Sequence, residues 1–292
     1  MKSAFKGEEA KTVLLEWFER FRSRIKVPTE GRTVKTRFGE THVLVGGPLN
    51  GPPLVMLHGA MASSAHALGE LTPLLDHFRV HAVDIVGQSV KSADARPSVA
   101  NNDYGEWLRD VMDGLGLLRA HVVGVSWGGF VAIRLAATAP ERIERLVLLV
   151  PAGVVKGSAW AGLTRLGLPM LLYRMAPNER RLKKFVRNLL TTLDDDWAPY
   201  LGDAIQAFNT DMRIPPLAKP EELKAFTAPT FVLGADGDIS FPGKLVLARA
   251  TQLFTTLADT ELIPHSNHCP PTTDAFRKWL GNRITGFLSP PP

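Results

Sequence analysis

The chain has few of the features that would set it apart from ordinary globular proteins. A single cysteine, Cys269, among 292 residues excludes an internal disulfide framework and is typical of a reducing compartment. The longest nearly uninterrupted apolar run, residues 146–155, contains Pro151 and Gly153 and is too short to span a bilayer. The first residues, MKSAFKGEEAK, lack the apolar core of a signal peptide. We therefore expect a cytoplasmic protein without a membrane partner.

The chain also has no large excess of one charge. The formal net charge is +5, and basic residues are interleaved with acidic ones over most of the sequence. The densest basic cluster lies in residues 180–187, inside a helical pattern, and we interpret it as a solvated helix face. This distribution predicts no nucleic-acid partner.

Short apolar strands alternate with helical patterns along the chain, and this alternation predicts an α/β fold. We expect a mostly parallel central sheet of about eight strands with helices on both faces. The predicted strands are 33–37, 42–45, 53–57, 80–86, 121–125, 145–150, 230–233 and 261–263. The predicted helices of the sheet layers are 8–25, 65–77, 103–118, 127–138, 243–255 and 273–288.

The alternation is interrupted once. Residues 155–218 contain three helical patterns and no convincing strand. We therefore predict a core made of residues 1–154 and 219–292, with residues 155–218 inserted after the sixth strand as a helical cap.

A candidate nucleophile lies in the motif Gly124-x-Ser126-x-Gly128, which joins a predicted strand directly to a predicted helix. This setting is required for a nucleophile elbow, in which the serine adopts a strained backbone and glycines leave room for the strand and the helix to approach closely. The helix N-terminus there favours developing negative charge. The alternative is an ordinary strand-to-helix turn with an N-capping serine.

A serine hydroxyl needs a base, and two histidines lie at a suitable place in the chain. His265 and His268 follow the last predicted strand and precede the last helix. An order of serine, acid and histidine along the chain is that of a hydrolase triad on this kind of sheet. Both histidines are candidates on position alone.

With these residues the chain resembles the α/β-hydrolase superfamily over nearly its whole length, including a helical cap. Members commonly have Gly-His before the last helix, with the histidine as base, and Asn267-His268 takes that place here. Asparagine substitutes best for glycine where φ is positive. The resemblance implies that His268 is the base, that His265 ends a strand, and that Cys269 is a small buried side chain rather than a nucleophile.

The resemblance also implies an oxyanion hole. The turn 57–61, Leu-His-Gly-Ala-Met, matches a turn after the third strand that provides one N–H group, here that of Ala60. The second N–H group belongs to the residue after the nucleophile, here Trp127. We assign structural roles to His58 and Asp84.

Two aspartates, Asp236 and Asp238, are candidates for the triad acid. Similar proteins carry this acid after the seventh strand, which is predicted here at 230–233. Many relatives have the acid three residues after a strand-ending glycine, and Gly237 occupies that place here. The sequence 241–243, Phe-Pro-Gly, resembles relatives reading Asp-x-x-Phe-Pro-Gly, and this register selects Asp238. Asp236 then forms the turn.

Serine at the elbow argues against haloalkane dehalogenases and epoxide hydrolases, which use aspartate there. The resemblance implies a carboxylesterase-like serine hydrolase (EC 3.1.1 class) that acts on small-molecule esters with small to medium acyl or alcohol groups. Ser126, His268 and Asp238 would form the triad, without cofactor or metal. A lactonase, a cofactor-free perhydrolase or haloperoxidase-like enzyme, and a ligand receptor with little turnover are alternatives. The oligomeric state is not readable from the motifs.

Overall fold

A single sheet of eight strands organises the residues that the computed structural model describes, 3–193, 196–209, 211 and 213–289. The spatial order is β1-β2-β4-β3-β5-β6-β7-β8, with β2 antiparallel to both neighbours and all other pairs parallel. The predicted α/β fold class is therefore confirmed. The strands are β1 (Thr29–Thr36), β2 (Gly39–Gly46), β3 (Pro53–Leu57), β4 (Arg79–Val83), β5 (Ala120–Val125), β6 (Ile143–Leu149), β7 (Thr230–Ala235) and β8 (Leu257–Ile263).

Helices cover both faces of this sheet. They are α1 (Glu8–Ser23), α2 (Ser64–Glu70), α3 (Asp103–Gly114), α4 (Trp127–Thr138), α5 (Ala159–Gly162), α6 (Leu168–Met175), α7 (Glu179–Val186), α8 (Trp197–Ala207), α9 (Gly243–Leu253) and α10 (Asp274–Leu288). Two helices end at least four residues earlier than the sequence predicts, and α1 and α9 each end two residues earlier. α2 stops before a 3-10 turn that contains Pro73, which lacks the N–H group that a helix requires. α3 ends at Gly114, and Gly116 just beyond it has a φ of +71° that closes a C-terminal cap, in which the N–H group of Leu117 donates to the carbonyl of Met112.

Successive residues of the strands supply two different apolar clusters, one on each face of the sheet. In β3, Leu54 and Met56 join the cluster formed with α1, α2 and α10, whereas Val55 and Leu57 join the cluster formed with α3, α4 and α9. Because both of its faces are buried, β3 is apolar throughout rather than alternating. The sequence pattern that predicts a parallel sheet has this physical origin.

Helices α5 to α8 lie between β6 and β7, within the stretch predicted as an insertion. A π-helical turn, Leu163–Gly167, joins α5 to α6 into one continuous helix over residues 159–175. The described part of 155–218 therefore has three helical stretches, as the sequence indicates; residues 194, 195, 210 and 212 lie outside it. α8 packs on α1, where the indole N–H of Trp17 donates to Asp203 over 2.8 Å. In the described part of the chain, no helix combines the length and apolar character needed to cross a bilayer.

A buried carboxylate, Asp84, ties several segments together at the end of β4. It accepts hydrogen bonds from the ring Nδ1 of His42 (2.7 Å), the hydroxyl and backbone N–H groups of Ser64 (2.6 and 2.8 Å), and the hydroxyl of Ser89 (2.6 Å). Burial raises the pKa of this carboxyl, but the hydrogen bonds and the neighbouring histidines outweigh it, so the pKa lies below its usual value. The geometry agrees with the structural role expected for Asp84.

Replacement of Ser89 by alanine tests this cluster. The change removes a hydrogen bond to a buried charge, and we expect a loss of about 1.5–3 kcal/mol in the free energy of unfolding, measured by urea denaturation. Ser98→Ala is the control, since the Ser98 hydroxyl accepts only an exposed bond from the nearby N–H of Ala100, at 3.1 Å. Equal losses in both variants would contradict the role given to Asp84.

Candidate active site

Ser126 occupies a strained turn between β5 and α4. Its φ of 51° and ψ of −112° are unusual for a residue with a side chain. The backbone around it is held on both sides: the N–H group of Ser126 donates to the carbonyl of Leu149 (2.9 Å), and that of Ala152 donates to the carbonyl of Ser126 (3.0 Å). The strain is therefore compensated by hydrogen bonds to β6 and to the segment that follows it.

The two glycines of the motif allow the strands and the helix to come close. A Cβ atom on Gly124 would lie 2.6 Å from the carbonyl oxygen of Gly128, and one on Gly128 would lie 2.4 Å from the carbonyl oxygen of Leu57. No side chain fits at such distances without a backbone shift. The glycines therefore act through close packing, as the motif predicts.

Ser126, His268 and Asp238 form a continuous hydrogen-bonded chain. The Ser126 Oγ lies 2.9 Å from Nε2 of His268, and Nδ1 of His268 lies 2.7 Å from a carboxylate oxygen of Asp238. A carboxylate only accepts hydrogen bonds, so Nδ1 carries the proton and the lone pair of Nε2 faces the serine hydroxyl. His268 is therefore placed to accept the proton of the Ser126 hydroxyl, and the Asp238 carboxylate faces the other nitrogen of the His268 ring.

The two aspartates after β7 have different surroundings. The Asp238 side chain is fully buried, and its second oxygen accepts the N–H groups of Ser240 (2.7 Å) and Phe241 (3.0 Å). Asp236 is exposed and accepts the backbone N–H groups of His265 and Ser266, each at 3.0 Å. These backbone hydrogen bonds lower the pKa of Asp236. Asp238 thus faces His268, and Asp236 shapes the loop that carries it.

The prediction that Asn267 has a positive φ is wrong. The residue with positive φ in this loop is His265, at 52°, and it lies in a turn two residues beyond β8 rather than at the strand end. Asn267 instead donates from its side-chain amide to the carbonyls of Leu190 (2.9 Å) and Arg187 (3.2 Å). It therefore joins the histidine loop to the end of α7, a contact that chain position alone does not reveal.

The N–H groups of Ala60 and Trp127 were expected at the oxyanion hole. Both residues line the cavity beside Ser126, and within the described ranges neither N–H group donates a hydrogen bond to the protein. Two further side chains hold the Ala60 turn. Gln88 accepts the N–H group of Met61 over 3.1 Å, and the hydroxyl of Tyr200 donates to the Met61 carbonyl. Sequence analysis missed Gln88 and Tyr200, since no local motif links them to Met61.

Two reactive residue types near the serine have structural surroundings. His58 is buried, its Nδ1 lies 2.7 Å from the carbonyl oxygen of Gly59, and its Nε2 accepts the N–H group of Ile85 over 2.9 Å. Burial lowers the pKa of His58 despite the charge of Asp84, which favours the neutral ring. Removal of the Cys269 sulfur from water raises the pKa of that thiol to about 12. The buried ring of His58 agrees with the structural role expected for it, whereas Cys269 is only partly buried and lines the cavity beside Ser126.

Ser126 and His268 line one cavity of about 590 Å³. Its walls are mainly apolar, and the helical stretch 155–218 contributes Leu189, Leu190, Trp197 and Tyr200 to them. On the sheet side, Phe241 also touches the ring of His268, with 5.4 Å between ring centres. Within the described ranges, no group of three or more His, Cys, Asp or Glu side chains could hold a metal ion.

Known proteins share this architecture. The family described as the α/β hydrolase fold matches residues 52–186. Carboxylesterase YbfK of Bacillus subtilis is 40% identical over 126 residues, which are 43% of this chain and 43% of that protein. An uncharacterized carboxylesterase, nap, from the same organism is 40% identical over 119 residues, 41% of this chain and 40% of that protein. The matched segments thus span less than half of the length of these relatives.

A solved structure extends the likeness to the whole fold. Naproxen esterase (carboxylesterase NP) from Bacillus subtilis superposes with a TM-score of 0.82 over 97% of this chain and 100% of that chain, at 23% identity. The shared architecture is the α/β-hydrolase fold. The chain has this fold, and residues 52–186 match the family of that name. The matched segments are similar in sequence to those of two carboxylesterases.

Replacement of Gly128 by alanine tests the close approach of α4 to the sheet. The new methyl group would overlap the Leu57 carbonyl, and we expect a loss of about 3 kcal/mol in the free energy of unfolding. Gly286→Ala is the matched control in a helix, because a Cβ atom there meets nothing within 4 Å, and it should stabilise by up to about 1 kcal/mol. Similar thermal midpoints for the two variants would rule out the steric account.

Proposed function

We propose that the protein is a serine hydrolase that cleaves carboxylic esters of small to medium acyl or alcohol groups. The observation that carries this proposal is the hydrogen-bonded chain from Ser126 Oγ through His268 to Asp238. The carboxylesterase names of two similar proteins support the same reaction class.

In the first half of the reaction, Ser126 Oγ attacks the ester carbonyl carbon while Nε2 of His268 takes the hydroxyl proton. The imidazolium then gives that proton to the departing alkoxide, so the alcohol leaves and the acyl group stays on Ser126 as an ester. In the second half, His268 takes a proton from water, and the resulting hydroxide attacks the acyl carbon. Return of the proton to Ser126 Oγ releases the carboxylic acid.

Asp238 acts on the base. Its buried carboxylate holds the proton of His268 on Nδ1 and stabilises the positive ring that forms during each attack. The N–H groups of Ser240 and Phe241 fix the second carboxylate oxygen, so the direction of the first is set before substrate binds.

The N–H groups of Ala60 and Trp127 form the oxyanion hole in this proposal. Their availability for hydrogen bonding suits an oxygen that becomes negative only when the carbonyl is attacked. Gln88 and Tyr200 hold the neighbouring Met61 and so keep the Ala60 donor in place.

The size and lining of the cavity support small to medium esters. A volume of about 590 Å³ is in the range of small-molecule sites, and apolar walls favour hydrocarbon parts of the substrate. Residues 155–218 act as the cap over Ser126, because side chains near the end of α7 and in α8 line the cavity that contains the serine.

Ser126→Ala tests the nucleophile. We expect turnover of p-nitrophenyl butyrate to fall by at least about ten-thousandfold, because no hydroxyl remains to form the acyl-enzyme. Stoichiometric labelling by a fluorophosphonate, followed by intact-protein mass spectrometry, should disappear in the same variant.

The control for labelling is Ser23→Ala, at an exposed position at the end of α1, which should label and turn over normally. An unchanged thermal midpoint for Ser126→Ala would show that the fold is intact. Stoichiometric labelling of Ser126→Ala would overturn the assignment of the nucleophile.

Asp238→Asn and Asp236→Asn separate the two acidic residues. In the first variant a neutral amide replaces the anion that stabilises a charged His268, so kcat should fall roughly a thousandfold or more. The second variant weakens only the loop hydrogen bonds from His265 and Ser266, so kcat should fall less than about tenfold. Steady-state kinetics on the same ester decides, and the reverse ranking of the two variants would exclude Asp238 as the triad acid.

A further inference from the structure

One helical segment carries more positive charge than the whole chain. Residues 156–187 contain eight lysines and arginines and one acid, Glu179, for a net charge of +7, whereas the chain as a whole carries +5. Glu179 lies 2.5 Å from Lys183 and offsets one of the eight. Lys156, Arg165, Arg180, Lys184 and Arg187 are exposed. The rest of the protein is therefore slightly acidic, and its positive charge is concentrated here.

The same segment has an apolar face that points away from the protein. Six of the fifteen exposed large apolar side chains in the described ranges lie on the continuous helix 159–175. We call these the apolar face: Trp160, Leu163, Leu168, Leu171, Leu172 and Met175. Trp160 and Met175 are 74% and 75% exposed, although Pro169 and Tyr173 of the same helix are buried against the protein. A soluble helix normally has the opposite arrangement.

The charges and the apolar face belong to one local structure beside the cavity. The side-chain amide of Asn188 donates to the carbonyls of Arg165 (3.0 Å) and Lys184 (3.4 Å), which joins the helix 159–175 to α7. Lys156 at the start of the segment and Leu189, two residues beyond its end, line the cavity that contains Ser126. A partner that covers the apolar face would therefore lie next to the cavity.

The charge selects the kind of partner. In a symmetric pair formed through the apolar face, two segments of +7 would face each other, and their repulsion opposes a second copy of the chain. Nucleic acid would match the charge, but aliphatic side chains such as Leu171 and Met175 have no counterpart on a phosphate backbone. An anionic lipid surface satisfies both features, because it offers negative headgroups above an apolar layer.

We propose that residues 156–187 dock the protein on the surface of membranes that contain anionic lipids. The apolar face enters the boundary between headgroups and acyl chains, and the basic side chains contact the headgroups. This contact places the cavity beside the lipid phase without any helix crossing it. The proposed docking revises the expectation that the protein has no membrane partner. Docking does not depend on ester hydrolysis, so Ser126→Ala should dock as well as the unmodified chain.

Flotation with vesicles tests the proposal on the whole protein. We expect binding to phosphatidylcholine vesicles with about 30% phosphatidylglycerol at about 0.1 M salt, and at least tenfold weaker binding to pure phosphatidylcholine. Raising the salt to about 1 M should weaken the binding by a similar factor. The indole emission should shift to the blue on binding, and Trp160→Phe should remove most of this shift.

A matched pair of double variants locates the contact. Leu171→Gln with Lys184→Gln should weaken partitioning at least about tenfold, because it removes one apolar and one basic contact. The control is Leu118→Gln with Arg119→Gln, which likewise replaces one exposed leucine and one exposed basic residue just before β5, at the opposite end of the strands from Ser126. This control should bind like the unmodified protein. Both double variants alter exposed positions, and equal thermal midpoints would verify that they fold.

Three results would overturn the proposal. The first is no binding to anionic vesicles at low salt. The second is an equal loss of vesicle binding in the control, Leu118→Gln with Arg119→Gln, and in the variant Leu171→Gln with Lys184→Gln. The third is a vesicle-independent dimer, seen by analytical ultracentrifugation, that Leu171→Gln with Lys184→Gln dissociates, which would assign the apolar face to a second copy. Binding to duplex DNA without binding to vesicles would equally reject a lipid surface.

Discussion

The close approach of α4 to β3 and β5 is the constraint on which the geometry around Ser126 depends. Glycine at 124 and 128 lets the helix start almost in contact with the sheet, and the chain passes through a positive φ at Ser126 to make the turn. Hydrogen bonds to Leu149 and from Ala152 hold that strained turn. The helix N-terminus and the serine hydroxyl are consequently aimed at one point above the carboxyl ends of the strands.

The residues around Ser126 come from separate loops, and the helical insertion holds two of these loops, that of His268 and that of Ala60. Asn267 and Cys269 are hydrogen-bonded to residues 187–191, so the end of α7 supports the loop of His268. Tyr200 of α8 supports the turn of Ala60 through Met61. The insertion therefore helps to position the residues around Ser126, and movement of these helices would alter the geometry there.

Local patterns predicted much of the fold. The bounds of β3 and α4 agree with the sequence because both are continuous apolar segments between clear breaks. β8 was predicted only at 261–263 but begins at Leu257, since this edge strand is half-exposed and mixes polar with apolar residues. The positive φ assigned to Asn267 belongs to His265, because loop conformation depends on contacts that the residue type does not encode. A cytoplasmic location stays a prediction.

By itself, the sequence determined the α/β order of elements, the strand–serine–helix motif, and the order of serine, acid and histidine along the chain. These depend on residue types and spacing, which a linear pattern contains. Only the tertiary structure decided which aspartate contacts His268, that Gln88 and Tyr200 hold the Met61 turn, and that the basic segment presents an apolar face outward. Those features are contacts and side-chain directions between residues distant in sequence, and they exist only once the chain is packed.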